Sequence, residues 1–229
     1  MILLAVTAAP ALSQNMVRAK CDRFTMNVPS QNVRCYQVDS NIPVPEEASP
    51  EQVKTAQVAN TAFLFSDYQN FAGSIPPQVT FYKIDDMGRT AFDLLDISMA
   101  ASDMMDNLNS GYADLSEIYQ DTPFMPYQTE ERRVFAMPER LDFTGGSGVR
   151  TLAGFQDTIS ANAGGSNIYY SFQGISNDGT YYISAVFPIQ SQSLQGQMAG
   201  NVDWNTVTGD DFIPSLTELD YYVRSIVIE

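Results

Sequence analysis

Histidine is absent from the 229 residues. That removes Ser-His-Asp and Cys-His catalysis in any chain order, together with every histidine-containing zinc site. With two cysteines, a four-cysteine zinc site is excluded too. Basic residues are scarce, 12 against 27 acids, for a formal net charge of −15. Such a surface repels phosphate backbones, and no basic patch or nucleic-acid motif offsets it. Nucleic acid is therefore rejected as a partner, and an anionic membrane surface is disfavoured for the same reason. Charged residues are only 17% of the chain against 44% hydrophobic, so a folded domain is expected.

What is present begins with MILLAVTAAPALSQ, which reads as the hydrophobic and cleavage regions of a secretory signal peptide over residues 1–13. Ala11-Leu12-Ser13 offers small residues for cleavage before Gln14. The basic segment that opens such leaders is missing, and a buried N-terminal strand or helix is the alternative. The stretch is too short to span a bilayer, and no other apolar run reaches spanning length, so no transmembrane segment is expected. Lys20 before Cys21 argues against a lipid anchor. An exported chain with two cysteines pairs them, and closing Cys21 to Cys35 is worth about 3 kcal/mol. Against this, RFTMNVPSQNVRCYQV reads as two strands around Pro29-Ser30-Gln31-Asn32, a turn that sets Cys35 opposite Met26. The thiol state is left open.

Residues 14–229 read as a single α+β domain with a Pro- and acid-rich connector at 39–50, DSNIPVPEEASP. A short helix is expected over 50–58, then strands in TAFLFSDYQNF and PQVTFYKIDDM. From Thr90 the period changes, and Leu94, Ile97, Ala101, Met104 and Leu108 mark an amphipathic central helix. Asp93, Asp96 and Asp103 on its far side are a solvated face before they are a cation site. RRVFAMPERLDFTGGSGVRTLAGF suggests two strands joined by Gly145-Gly146-Ser147-Gly148, a hairpin turn and not a phosphate loop. QSQSLQGQMAGN at 190–201 reads as a polar, mobile loop. At the C-terminus, Ser215 and Glu218 form a capping-box pattern, and Leu216, Leu219, Val223 and Ile226 share one helical face that should pack on a sheet.

The stretch IYYSFQGISNDGTYYISAVFPI carries the clearest pattern. A turn at Asp178-Gly179 pairs Ile168 with Ile189 and Tyr170 with Phe187. One face then holds Ile168, Tyr170, Phe172, Ile183, Ala185, Phe187 and Ile189, which must be core. The other mixes Tyr169, Ser171, Gln173 and Ile175 with Tyr182, Ser184 and Val186, and is either solvated or half covered by a helix. If open, Tyr169 and Tyr182, with Trp204 nearby, form a stacking surface for sugar rings, although packing under the C-terminal helix is the simpler reading. Arg150, in GSGVRTL, is the charged residue to watch: it either holds a partner's carboxylate or makes a structural salt bridge.

These blocks carry a resemblance. TGGSGVRTL, IYYSFQGISNDGTYYISAVFPI and PPQVTFY resemble a group of uncharacterised exported bacterial proteins with a Gly-x-Gly-Val-Arg-x-Leu segment and a Tyr-x-Phe-Gln-Gly hairpin. The match covers roughly residues 144–189, and no site residue comes with it. More loosely, a late hairpin followed by LDYYVRSI is similar to PsbP-like α/β/α sandwiches, accessory or binding modules with an antiparallel sheet between helices.

The expectation is an α+β domain, an antiparallel sheet covered by central and C-terminal helices, exported to the envelope, cell surface or medium. Its reading is a non-enzymatic binding or accessory domain for a small molecule, glycan or envelope protein, with no catalytic residue, metal or cofactor assigned. The alternative is a carboxylate-based extracellular hydrolase such as a glycosidase, drawing on Asp85, Asp86, Glu130, Glu131, Asp210 or Asp211. A structural envelope-assembly module is the third reading.

Overall fold

The computed structural model describes residues 16–29, 33–39, 58–66, 68, 75–87, 103–104, 106–108, 110, 115, 124–126, 132–155, 163–164 and 168–229. The expected leader lies outside them. So do the connector and its helix apart from Asp39 and Val58, and most of the helix expected from Thr90.

Eleven strands dominate what is described: β1 (Met16–Cys21), β2 (Phe24–Pro29), β3 (Val33–Val38), β4 (Asn60–Phe65), β5 (Gln78–Lys83), β6 (Arg132–Phe143), β7 (Gly146–Phe155), β8 (Ile168–Ser176), β9 (Tyr181–Ser191), β10 (Phe212–Ile213) and β11 (Val227–Ile228). They form an antiparallel three-stranded sheet, β1-β2-β11, and an eight-stranded sheet ordered β3-β4-β5-β9-β8-β7-β6, with β10 pairing the end of β9. Among the described residues, helix is limited to α1 (Ile84–Met87), α2 (Leu216–Arg224), short 3-10 turns and helical residues between 103 and 115. The expected α+β class with a central helix is therefore overturned: the protein is predominantly β. The physical reason lies in the long hairpins. β6, β7, β8 and β9 run 12, 10, 9 and 11 residues and pair along most of their length. Met104 and Leu108, whose spacing suggested the central helix, are buried against that sheet with Val149, Ile175 and Tyr182, as a covering and not as the organising element.

The β8–β9 hairpin has the expected register, with Ile168 opposite Ile189 and Ile175 opposite Tyr182. Its turn is shifted by one residue. The Gly179 amide donates to the Ser176 carbonyl at 2.9 Å, so Asn177 and Asp178 are central, and Gly179 takes a positive φ of 68°. The Thr180 amide then donates to Ser176 Oγ and Asp178 Oδ1, at 3.1 and 3.0 Å, and the ladder resumes. The Ser176 hydroxyl, which donates to Asp178 Oδ1 at 2.6 Å, and then the Thr180 amide hold the Asp178 carboxyl below its ordinary range.

Both faces of this hairpin are buried. The apolar face joins Phe24, Met26 and Val28 of the small sheet, Leu216, Leu219 and Val223 of the C-terminal helix and Ile226 just beyond it in one cluster. The mixed face is not solvated; helical residues Met87, Met104 and Leu108, with Met125, cover part of it, and α2 does not. Val186 and Tyr169 pack with Ile75 and Phe155, and Tyr182 with Met87, Met104, Leu108 and Met125. Its polar groups are buried because the backbone of Met125 satisfies them. Gln173 accepts from the Met125 amide and donates to its carbonyl, both at 3.3 Å, and Ser184 Oγ donates to the same carbonyl.

Helix α2 starts as expected, with Ser215 Oγ accepting from the Glu218 amide at 3.2 Å. The Glu218 carboxylate accepts instead from the Tyr222 hydroxyl, so only half of the capping box forms. The 190–201 segment is more firmly held than its composition suggests, since Leu194 and Ala199 are buried and Ala163 donates to the Gln197 carbonyl at 2.7 Å.

Cys21 and Cys35 form a disulfide. The hairpin expected across Pro29–Asn32 does not exist: β2 pairs with β1 and β11, whereas β3 pairs with β4 in the other sheet. Cys35 is thereby freed from Met26 to reach Cys21, and the bond ties the exposed edge strand β3 to the small sheet. Because β3 buries so little, we expect Cys35→Ser to cost about 2–5 kcal/mol. Urea unfolding of oxidised wild type and variant measures it, and equal midpoints would contradict this.

The expected four-residue turn is shorter: Gly145 turns the chain, at φ 102°, while Gly146 and Gly148 lie within β7. Gly148 faces Gly174 across the strands, and the Phe172 ring lies over the pair. A Cβ on Gly148 would sit 2.3 Å from the Gln173 carbonyl oxygen and 2.6 Å from Phe172 Cζ. Gly148→Ala is expected to destabilise by about 1–3 kcal/mol, the range of core overpacking. A neutral result in the same unfolding assay would refute that packing.

Candidate functional site

Arg150 lies mid-strand in β7, opposite Glu139 of β6 and Phe172 of β8, so it projects into the apolar face. Its side chain is 6% exposed. A guanidinium buried to that degree must be paired and hydrogen-bonded. The fold supplies three partners from two directions. Nη1 donates to the Met137 carbonyl at 2.6 Å, Nη2 pairs with Glu139 Oε2, and Nε lies 3.4 Å from Asp220 Oδ1 of α2.

The Met137 carbonyl is available because β6 bulges there. The β6–β7 register shifts between Ala136 and Glu139, and Met137 has a φ of 52°. Bulges re-aim the chain, and a non-glycine residue in the left-handed region is held there by its surroundings. Here Pro138 follows immediately and the Arg150 bond fixes the carbonyl.

Asp220 is 13% exposed and also accepts from the Tyr170 hydroxyl at 2.9 Å. Burial pushes its carboxyl above the ordinary range, and Arg150 and the Tyr170 bond only partly oppose this. The Tyr170 phenol is pushed well up, first by burial and then by the Asp220 charge. Arg150, Asp220 and Tyr170 thus form a buried floor, in which Arg150 Nε faces Asp220 as an ion pair without a hydrogen bond. At the rim, Glu139 Oε1 lies 3.3 Å from Arg224 Nη2, and both side chains are 47% exposed.

Above this floor is a cleft of about 550 Å³, walled by Met137, Gly209, Leu216, Thr217 and Tyr221. A Cβ on Gly209 would approach Leu216 to 3.3 Å. The arrangement presents carboxylate and guanidinium groups side by side against apolar walls, the usual composition of a small-ligand site.

The residues singled out from sequence are not brought together. Tyr169 and Tyr182 are 3% and 0% exposed and lie in the covering on the opposite face from the cleft. Trp204 is half-buried at the margin of the main core, on the cleft's side of the sheet, in a 3-10 turn. Arg150 alone sits in the cleft, in salt bridges to two acids. Of the carboxylates considered for hydrolysis, Asp211 is tied to Thr208, whose amide donates to Oδ2 at 2.7 Å and helps hold its carboxyl low. Asp85 and Asp86 lie in α1, and Glu130 and Glu131 are outside the described residues. Of the acidic stripe only Asp103 is described, and it is exposed; no cluster of three metal-capable side chains occurs among the described residues. Sequence reasoning missed Glu139, Asp220 and Arg224. The Arg224 and Asp220 spacing marks one helical face, but nothing local joins it to β6.

No protein-family model, curated protein or solved structure matches the chain. The comparisons bear on neither resemblance.

The raised Asp220 pKa has a defined sign. The folded state holds that proton more tightly than the unfolded chain, so its contribution is fully present below the ordinary aspartate pKa and is lost as pH rises through the raised value. The stability of wild type relative to Asp220→Asn should therefore fall as pH is raised through the carboxylate range. Unfolding at several pH values measures it, and a difference that grows with pH would contradict the assignment.

Proposed function

We propose that this is an exported, non-enzymatic binding domain whose ligand occupies the cleft over Arg150. The observation that carries the reading is the cleft itself: a buried Arg150–Asp220–Tyr170 floor beneath an open, half-exposed Glu139–Arg224 rim. A floor fixed in advance lowers the ordering cost of binding. Export is supported by the signal-like N-terminus and is weakly favoured by the disulfide, which suits an oxidising compartment.

One observation favours a second reading, a carboxylate-based hydrolase. The cleft contains two carboxylates, Glu139 and Asp220, and the second has a raised pKa, as a general acid requires. Against it, both carboxylates are already engaged by Arg150, and Asp220 also by Tyr170.

The test is thermal unfolding of the protein against glycans, peptides, amino acids and divalent ions, with Thr217→Trp as a cleft-blocking variant at an exposed wall position. A ligand at a hundredfold its dissociation constant adds about 2.7 kcal/mol. A shift in wild type that disappears in Thr217→Trp is expected. A shift of equal size in both places the ligand elsewhere and overturns the cleft, while glycoside turnover lost in Asp220→Asn would install the second reading.

A further inference from the structure

Glu139 is divided between two environments. Its Oε2 is anchored on the buried guanidinium of Arg150, which holds the carboxylate in place, and its Oε1 is presented at the rim beside Arg224. The rim contact is the weak member of the network: at 3.3 Å, with both side chains 47% exposed, it is an ion pair that solvent screens and that contributes little. It can be opened without disturbing the floor, since Arg150 keeps Met137, Asp220 and Glu139 Oε2.

Opening it leaves an acceptor of fixed position next to a guanidinium with five donors in a planar fork. A ligand that carries one charge satisfies only one of them. An amine reaches Glu139 and leaves Arg224 without its partner. A carboxylate takes Arg224 but adds a negative charge to a chain that already carries −15. A ligand with an ammonium and a carboxylate on neighbouring atoms satisfies both, and brings no net charge against the field of the whole protein. The walls beside the pair, Met137, Leu216 and the Tyr221 ring, are apolar, and the volume of about 550 Å³ leaves room beyond the charged head.

From this we infer that the cleft takes a zwitterionic α-amino acid with an apolar side chain, its ammonium on Glu139, its carboxylate on Arg224 and its side chain between Met137, Leu216 and Tyr221. The inference rests on the cleft being the binding site, and deepens that reading by naming the ligand class.

Isothermal titration of the full chain with L-phenylalanine, phenethylamine and 3-phenylpropionate tests it. L-phenylalanine should bind, and each single-charge analogue should bind at least tenfold more weakly. Arg224→Ala should weaken L-phenylalanine at least tenfold and leave phenethylamine bound no more weakly than in wild type, in a protein whose thermal transition shows it to be folded. Thr217→Trp should abolish the binding. Equal affinity for L-phenylalanine and either analogue overturns the inference. If L-phenylalanine does not bind while a neutral glycan binds in a Thr217→Trp-sensitive way, the ligand class falls and the cleft stands. If nothing tried is sensitive to Thr217→Trp, both fall.

Discussion

The β8–β9 hairpin has no solvent face, and the rest of the fold follows from that constraint. Tyr170, Phe172, Ile183 and Phe187 on one side and Tyr182, Ile175 and Val186 on the other are all buried. Each large side chain withdrawn from water stabilises the fold by about 1.5–3 kcal/mol, so neither face can be left bare. The small sheet and α2 cover the first, and Met87, Met104, Leu108 and Met125 cover the second. The sheet is the middle layer of the protein, and the polar groups trapped within it need partners wherever they fall.

Two devices meet that need in different ways. On the second face, Gln173 imitates a strand and exchanges a pair of bonds with the backbone of Met125. The group is neutral and hydrogen-bonded, and its effect is to pin the covering. On the first face the trapped group is a charge. Arg150 cannot be neutralised by one backbone carbonyl, and so recruits the Met137 bulge, Glu139 and Asp220. A network that large does not close over itself beside a helix, and the space left between α2 and the β6 bulge is the cleft. In this account the site is the consequence of placing an arginine in an apolar strand near the edge of the sheet.

Much of the local structure was legible in the sequence. The hairpin register follows from the turn residues and from strict alternation, and Ser215 with the Leu216, Leu219, Val223 and Ile226 face specifies α2. A salt bridge at Arg150 follows from one buried-looking cation among many acids. The failures share a cause, which is that partners distant in sequence decided the outcome. Ser171, Gln173 and Ser184 look like a wet face until Met125, some 50 residues earlier, is placed on them. β2 and β3 look like a hairpin until each finds a better neighbour, β11 from the far end of the chain and β4. Met104 and Leu108 have helical spacing, but spacing does not reveal that long strands organise the fold around them. The cleft needs β6, β7 and α2 together, and Asp220 lies 70 residues from Arg150, beyond the reach of any motif.

The central claim is that small ligands engage the protein over Arg150. Amide chemical shifts followed during titration with a fragment library test it most directly. The account predicts that the largest changes fall on Glu139, Arg150 and Thr217–Arg224. Changes centred instead on Tyr169, Tyr182 and their covering, with the cleft amides unmoved, would contradict it.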